Sequence, residues 1–187
     1  MLRNALLVGA AVIALGAVSA PAQAADNIVL NTWYAFNFQA TGSALNGGGI
    51  PGTSPNGLAA PQTPWTITLS GPGKLTVTDV EIPGDQFTLY DNGVLLGTTS
   101  APTPDFGVNV GECISCALGD PEFSKGVFLL GAGVHNFTGV QDGVINFGDG
   151  DFKVSLPEPG TWAMMMIGLG GIGAAMRSRR KAVLAAT

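Results

Sequence analysis

Residues 65–100 read WTITLSGPGKLTVTDVEIPGDQFTLYDNGVLLGTTS, and their apolar positions recur at every second residue. Trp65, Ile67 and Leu69 alternate with Thr66, Thr68 and Ser70. Leu75 and Val77 alternate with Thr76 and Thr78, and Phe87 and Leu89 with Thr88 and Tyr90. A period of two sends apolar side chains to one face of an extended chain and hydroxyls to the other, which defines half-buried strands. Gly71-Pro72-Gly73 and Pro83-Gly84-Asp85 punctuate these runs. Asp91-Asn92-Gly93 asks for a tight hairpin, because Asn-Gly takes up positive φ at little steric cost.

The same pattern extends outward. Asn27–Gln39 reads as a long first strand carrying Trp33, Tyr34, Phe36 and Phe38. Downstream, Val127–Leu130, Val134–Val140 and Val144–Phe147 are predicted strands. Phe152, Val154 and Leu156 alternate with Lys153 and Ser155. Gly131-Ala132-Gly133 and Gly148-Asp149-Gly150 are predicted turns. Two long loops interrupt the series, 41–64 and 101–125. No segment carries a convincing helical period. The expectation is an all-β fold, a single jelly-roll-like β-sandwich over residues 25–156.

Composition agrees with one domain of that class. The chain has 187 residues, 28 of them Gly and 12 Pro, and only 11% are charged. That excludes a helical bundle, a coiled coil and a charged disordered chain. The net charge is −5 overall. Between residues 25 and 156 three lysines face twelve acidic residues, a net charge of −9. No nucleic-acid partner is expected, since that needs a basic face. Two Cys and one His cannot supply a four-ligand Cys/His zinc site.

The two ends differ from this middle. Arg3 precedes an apolar run from Ala5 to Val18, and Ala22-Gln23-Ala24 is a small-x-small cleavage signal. Residues 1–24 are therefore predicted to be a signal peptide that engages the Sec export machinery and is cleaved after Ala24. At the other end, residues 157–181 read PEPGTWAMMMIGLGGIGAAMRSRRK. An apolar helix over about 160–176 is predicted to enter the membrane, with Arg177, Arg179, Arg180 and Lys181 as a cytoplasmic basic tail at 177–181. From Trp162 to Met176 such a helix spans only about 22 Å against a hydrocarbon core of ~30 Å, which suits a temporary anchor. Within it, 168–173 satisfies G-x-G-x-x-G, but no strand precedes it and no acidic residue follows. A dinucleotide site is therefore excluded, and close helix packing is the better reading.

The order Pro157-Glu158-Pro159, Trp162-Ala163, Gly-rich apolar span and Arg-rich end resembles the PEP-CTERM sorting signal of Gram-negative bacteria, in its PEPxxWA variant. The resemblance covers about 25 residues. It implies processing by an exosortase, a membrane-embedded cysteine transpeptidase, with cleavage at or near the PEP motif (157–159). It also implies passage to the cell surface or extracellular matrix, often beside exopolysaccharide. Residues 75–100 resemble the adhesive β-sandwich domains common in PEP-CTERM proteins, and FTLYDNG is similar to a strand-turn element of CUB domains.

The candidate chemistry of the middle is sparse. Cys113-Ile114-Ser115-Cys116 is a C-x-x-C; in an exported chain a short-loop disulfide is favoured over a redox pair or free thiols. Asp79, Glu81 and Asp85 flank one turn, and Asp149 and Asp151 another. Brought together they would offer hard oxygens to calcium, a candidate metal; kept apart they are solvated turn acids. Trp33, Trp65 and Tyr90 would stack on sugars if exposed, but aromatics in alternating strands usually form core. His135 lies in a strand, and no nucleophile motif is present. The expectation is a non-enzymatic, exported structural or adhesive protein with no obligate cofactor. The alternatives are a polysaccharide hydrolase and a calcium-dependent carbohydrate-binding module.

Overall fold

The computed structural model describes residues 25–50, 57–144, 147–157, 160 and 167–170. The predicted signal peptide, with Ala22 and Ala24, lies outside them, as do Glu158, Pro159, Trp162, Ala163 and the basic tail. Among the described residues no helix is long and apolar enough to cross a membrane; most of the 160–176 span falls outside them.

The elements in chain order are β1 Trp33–Phe38, β2 Gly57–Ala59, β3 Trp65–Leu69, β4 Gly73–Asp79, β5 Phe87–Asp91, β6 Val94–Thr98, α1 Ile114–Gly119, β7 Lys125–Leu130, β8 Gly133–Gln141 and β9 Gly148–Ser155. They form two sheets, ordered β2-β1-β9-β4-β7 and β3-β8-β5-β6. Every pairing is antiparallel except that of β1 with β2. The fold is all-β, as the alternation requires.

The sheets meet through aromatic rings. Trp65 of β3 stacks on Phe152 of β9 at 4.1 Å between centroids. Phe36 of β1 meets Phe87 of β5 edge-on at 5.1 Å. Trp65, Phe36, Phe87 and Phe152 are fully buried, so the alternating apolar residues of both sheets share one core. Trp65 belongs to this core and Trp33 is buried in a second, smaller one, so neither forms an exposed sugar platform.

Four local expectations are corrected. The first strand begins at Trp33 rather than Asn27, because Asn31 has φ 60° and breaks the extension. Loop 41–64 contains β2, and loop 101–125 contains α1. Val144 and Phe147 lie outside any strand. Gly148-Asp149-Gly150 is not a turn but the start of β9. Those glycines face the core: a Cβ on Gly148 would lie 2.9 Å from the Phe38 ring, and one on Gly150 2.5 Å from the Phe36 ring. Bare backbone is the only fit beneath these rings. Alternation then turns Asp149 and Asp151 to the opposite face of the sheet.

Candidate functional site

The outward face of the five-stranded sheet is covered at one end by the chain between β6 and β7. Trp33, Val80, Ile114, Ala117 and Phe123 form a second, smaller core there. Lys125 fastens α1 by donating from Nζ to the carbonyls of Leu118 at 2.9 Å and Asp120 at 2.6 Å. Cys113 and Cys116 form a disulfide across the start of α1, and the Cys116 N–H donates to Cys113 Sγ.

This covering brings Glu112 onto the sheet. Glu81, just after β4, has φ 63°, a conformation that non-glycine residues adopt only when neighbours hold them. Two hydrogen bonds do so: the Glu81 N–H donates to the Gly111 carbonyl at 3.0 Å, and the Val110 N–H to the Glu81 carbonyl at 2.8 Å. Glu112 follows directly. Carboxylate oxygens of Glu81, Glu112 and Asp149 then all lie within 4.8 Å of one another.

Asp151 backs this cluster. It is fully buried, and neither of its carboxylate oxygens has a hydrogen-bond partner among the described residues. Burial, then the Asp149 charge, pushes its pKa up to about 7. Glu112 is raised by burial first, then by the charges of Glu81, Asp149 and Asp151. Asp149 is raised by burial, against the lowering effect of a backbone hydrogen bond from Ile50. A sealed carboxylate with no neutralising partner, as at Asp151, is costly unless a proton or a cation joins it. The one salt bridge among the described residues is elsewhere, between His135 Nδ1 and Asp91 Oδ2 at 2.7 Å.

Of the acids singled out in the sequence, Glu81, Asp149 and Asp151 converge. Asp79 and Asp85 serve the β4–β5 turn instead. Asp79 Oδ2 accepts from the Gly84 and Asp85 N–H groups, each at 3.2 Å, and Asp85 Oδ1 accepts from Gln141 Nε2 at 2.6 Å. Burial, then Asp85, pushes the Asp79 pKa up to about 8. Sequence reasoning missed Glu112, which sits in an unpatterned loop; its adjacency to the disulfide was the available signal.

These shifts fix a pH dependence. Asp79 and Asp151 hold protons in the folded state to about 8 and about 7, against 3.8 for an ordinary aspartate. Between those limits the folded protein binds more protons than the unfolded chain, so stability falls as pH rises. The metal-free protein is expected to melt higher at pH 5 than at pH 8, as read by circular dichroism. A higher melting point at pH 8 would contradict the burial of these groups.

A two-sheet, all-β protein with a carboxylate cluster under a disulfide-braced insertion is thus the class defined by the structure. Residues 155–181 match the family model for the PEP-CTERM protein-sorting motif. The chain therefore carries a PEP-CTERM sorting signal, which implies export, transient membrane anchoring and an exosortase as processing partner. No curated protein and no solved structure matched the chain.

Proposed function

We infer that this is a non-enzymatic adhesive protein of the cell surface or extracellular matrix, its sandwich held by calcium. The observation that carries the reading is the convergence of Glu81, Glu112 and Asp149 on the buried, unpartnered Asp151. Calcium takes six to eight oxygen ligands at roughly 2.3–2.6 Å, and acidic side chains are its usual protein donors. Here the donors come from three separate stretches: the turn after β4, the insertion and β9. A cation between them would tie the insertion to the sheet.

The jelly-roll reading belongs to the same proposal. With β2 set aside, the strand orders are β1-β9-β4-β7 and β3-β8-β5-β6. Successive strands change sheet at every connection except the β5–β6 hairpin, as in a doubled Greek key. Jelly rolls host many unrelated binding functions, so the fold supports the architecture and the carboxylates support the chemistry.

A hydrolase reading would use Glu112 as a proton donor beside ionised neighbours. Four carboxylates rather than two, one of them sealed from solvent, favour a metal.

Mass spectrometry of the cell-surface fraction tests the sorting part. The mature chain is expected to start at Ala25 and end near Pro157–Pro159, and to be lost when the exosortase is removed. Co-sedimentation of that fraction with its own exopolysaccharide tests the adhesive part, with stronger retention expected in calcium than in EDTA. Equal retention in both would overturn the calcium-dependent reading.

A further inference from the structure

The outward face of the five-stranded sheet changes character along β9. Asp149 and Asp151 occupy one end; Lys153 and Ser155, on the same face by alternation, occupy the other. The register places Lys74 opposite Ser155 and Thr76 opposite Lys153 on β4, Leu129 opposite Lys74 on β7, and Trp33 opposite Lys153 on β1. These side chains line a groove of about 500 Å³ that also includes Asn31 and Leu156. That volume is in the range of small-ligand sites, about 300–1,000 Å³.

Its charge is unlike the rest of the domain. Residues 25–156 contain three lysines, and Lys125 is spent on the carbonyls that end α1. The other two, Lys74 and Lys153, both line the groove, and no carboxylate among the described residues does. Neither lysine is in an ion pair among the described residues; the Lys153 ammonium lies 4.6 Å from the centre of the Trp33 ring. Ser155 adds an independent sign. It is 6% exposed, and its hydroxyl has no hydrogen-bond partner among the described residues. A buried hydroxyl without a partner costs stability unless a ligand supplies one. Leu129, 84% exposed on β7, gives the rim an apolar surface that a bare ion would leave in water.

The geometry points to a binding site for an anionic saccharide, its carboxylate held by Lys74, Lys153 and the Ser155 hydroxyl and its ring against Leu129. The groove is much larger than an inorganic anion, and its apolar rim fits the C–H face of a sugar. It is separate from the calcium cluster and stands without it.

Calorimetric titration of the full chain in mild detergent and EDTA, so that no calcium bridges the ligand, tests this. The probes are an oligogalacturonate, a neutral galacto-oligosaccharide and inorganic phosphate. The oligogalacturonate is expected to bind at least tenfold more tightly than either other probe, and more weakly as salt rises. Lys74→Gln is expected to lose at least tenfold in affinity. Ser155→Ala is expected to lose several-fold while its melting temperature holds or rises, since it removes an unsatisfied group. Equal binding of the neutral oligomer, equal binding of phosphate, or unchanged affinity in Lys74→Gln would each overturn the proposal. Calcium-induced stabilisation is read in a separate experiment, so the two readings fail independently.

Discussion

Adding calcium to metal-free protein at pH 8 is expected to raise its melting temperature by about 10 °C. The figure follows from a ligand at one hundred times its dissociation constant, worth ~2.7 kcal/mol, in a domain of this size. The physical cause is charge. Without a cation, Glu81, Glu112 and Asp149 crowd within 4.8 Å, and Asp151 is buried with no partner. Two variants separate a metal site from a cluster that merely repels itself. Glu112→Gln removes a ligand and is expected to abolish most of the calcium shift. Asp151→Asn replaces an unpaired buried acid with a neutral amide; it should melt higher than the parent without calcium yet respond less to it. Calcium should also reduce the pH 5 to pH 8 difference, because a divalent cation replaces the protons Glu112 and Asp151 otherwise hold. A parent protein whose melting point is indifferent to calcium would remove the metal from the account.

Trp65→Ala is expected to destabilise the protein by about 3–5 kcal/mol, measured by urea unfolding, the range for deleting a large buried aromatic. Domains of this kind have roughly 5–15 kcal/mol in total, so the variant should lose a large share of its stability. Trp65 is fully buried, stacks on Phe152 at 4.1 Å, lies 5.4 Å from Phe36, and donates from Nε1 to the Pro61 carbonyl at 2.9 Å. Removing it opens a void between the sheets and leaves that carbonyl without its donor. Trp65→Phe keeps most of the volume and should cost far less. A loss below about 1 kcal/mol for Trp65→Ala would mean the sheets do not close on this ring.

The particular elements explain why some features were readable and others were not. β3, β4, β5 and the hairpin at Asn92-Gly93 followed from local alternation and from a turn that needs positive φ, seen at Asn92 (51°) and Gly93 (77°). β9 was half legible. Its Phe152-Lys153-Val154 end alternates, but Gly148-Asp149-Gly150 carries a turn's composition. The glycines are there because Phe36 and Phe38 occupy the space their side chains would fill, a requirement set by another strand. The short α1 has no periodicity long enough to detect, and it persists because Ile114 and Ala117 are buried in the second core.

The acidic residues divide in the same way. Their types and their grouping around turns were visible, and calcium was the candidate metal they suggested. Which ones meet was not, because carboxylates far apart in sequence are joined only by strand pairing and by the Glu81–Gly111 bridge. That bridge admits Glu112 and leaves Asp79 and Asp85 to the turn. The lysine groove was equally invisible, since Lys74 and Lys153 become neighbours only through the β4–β9 register.

By itself, the sequence determined the strand-forming middle and the sorting signal. Both are written in contiguous residues: a period of two is a property of neighbours, and a sorting motif is read as a linear string. Tertiary structure alone decided which acids converge, which are buried without partners, and where the two unspent lysines meet. Those properties depend on distances between strands remote in the chain and on the exclusion of water, neither of which a local pattern encodes.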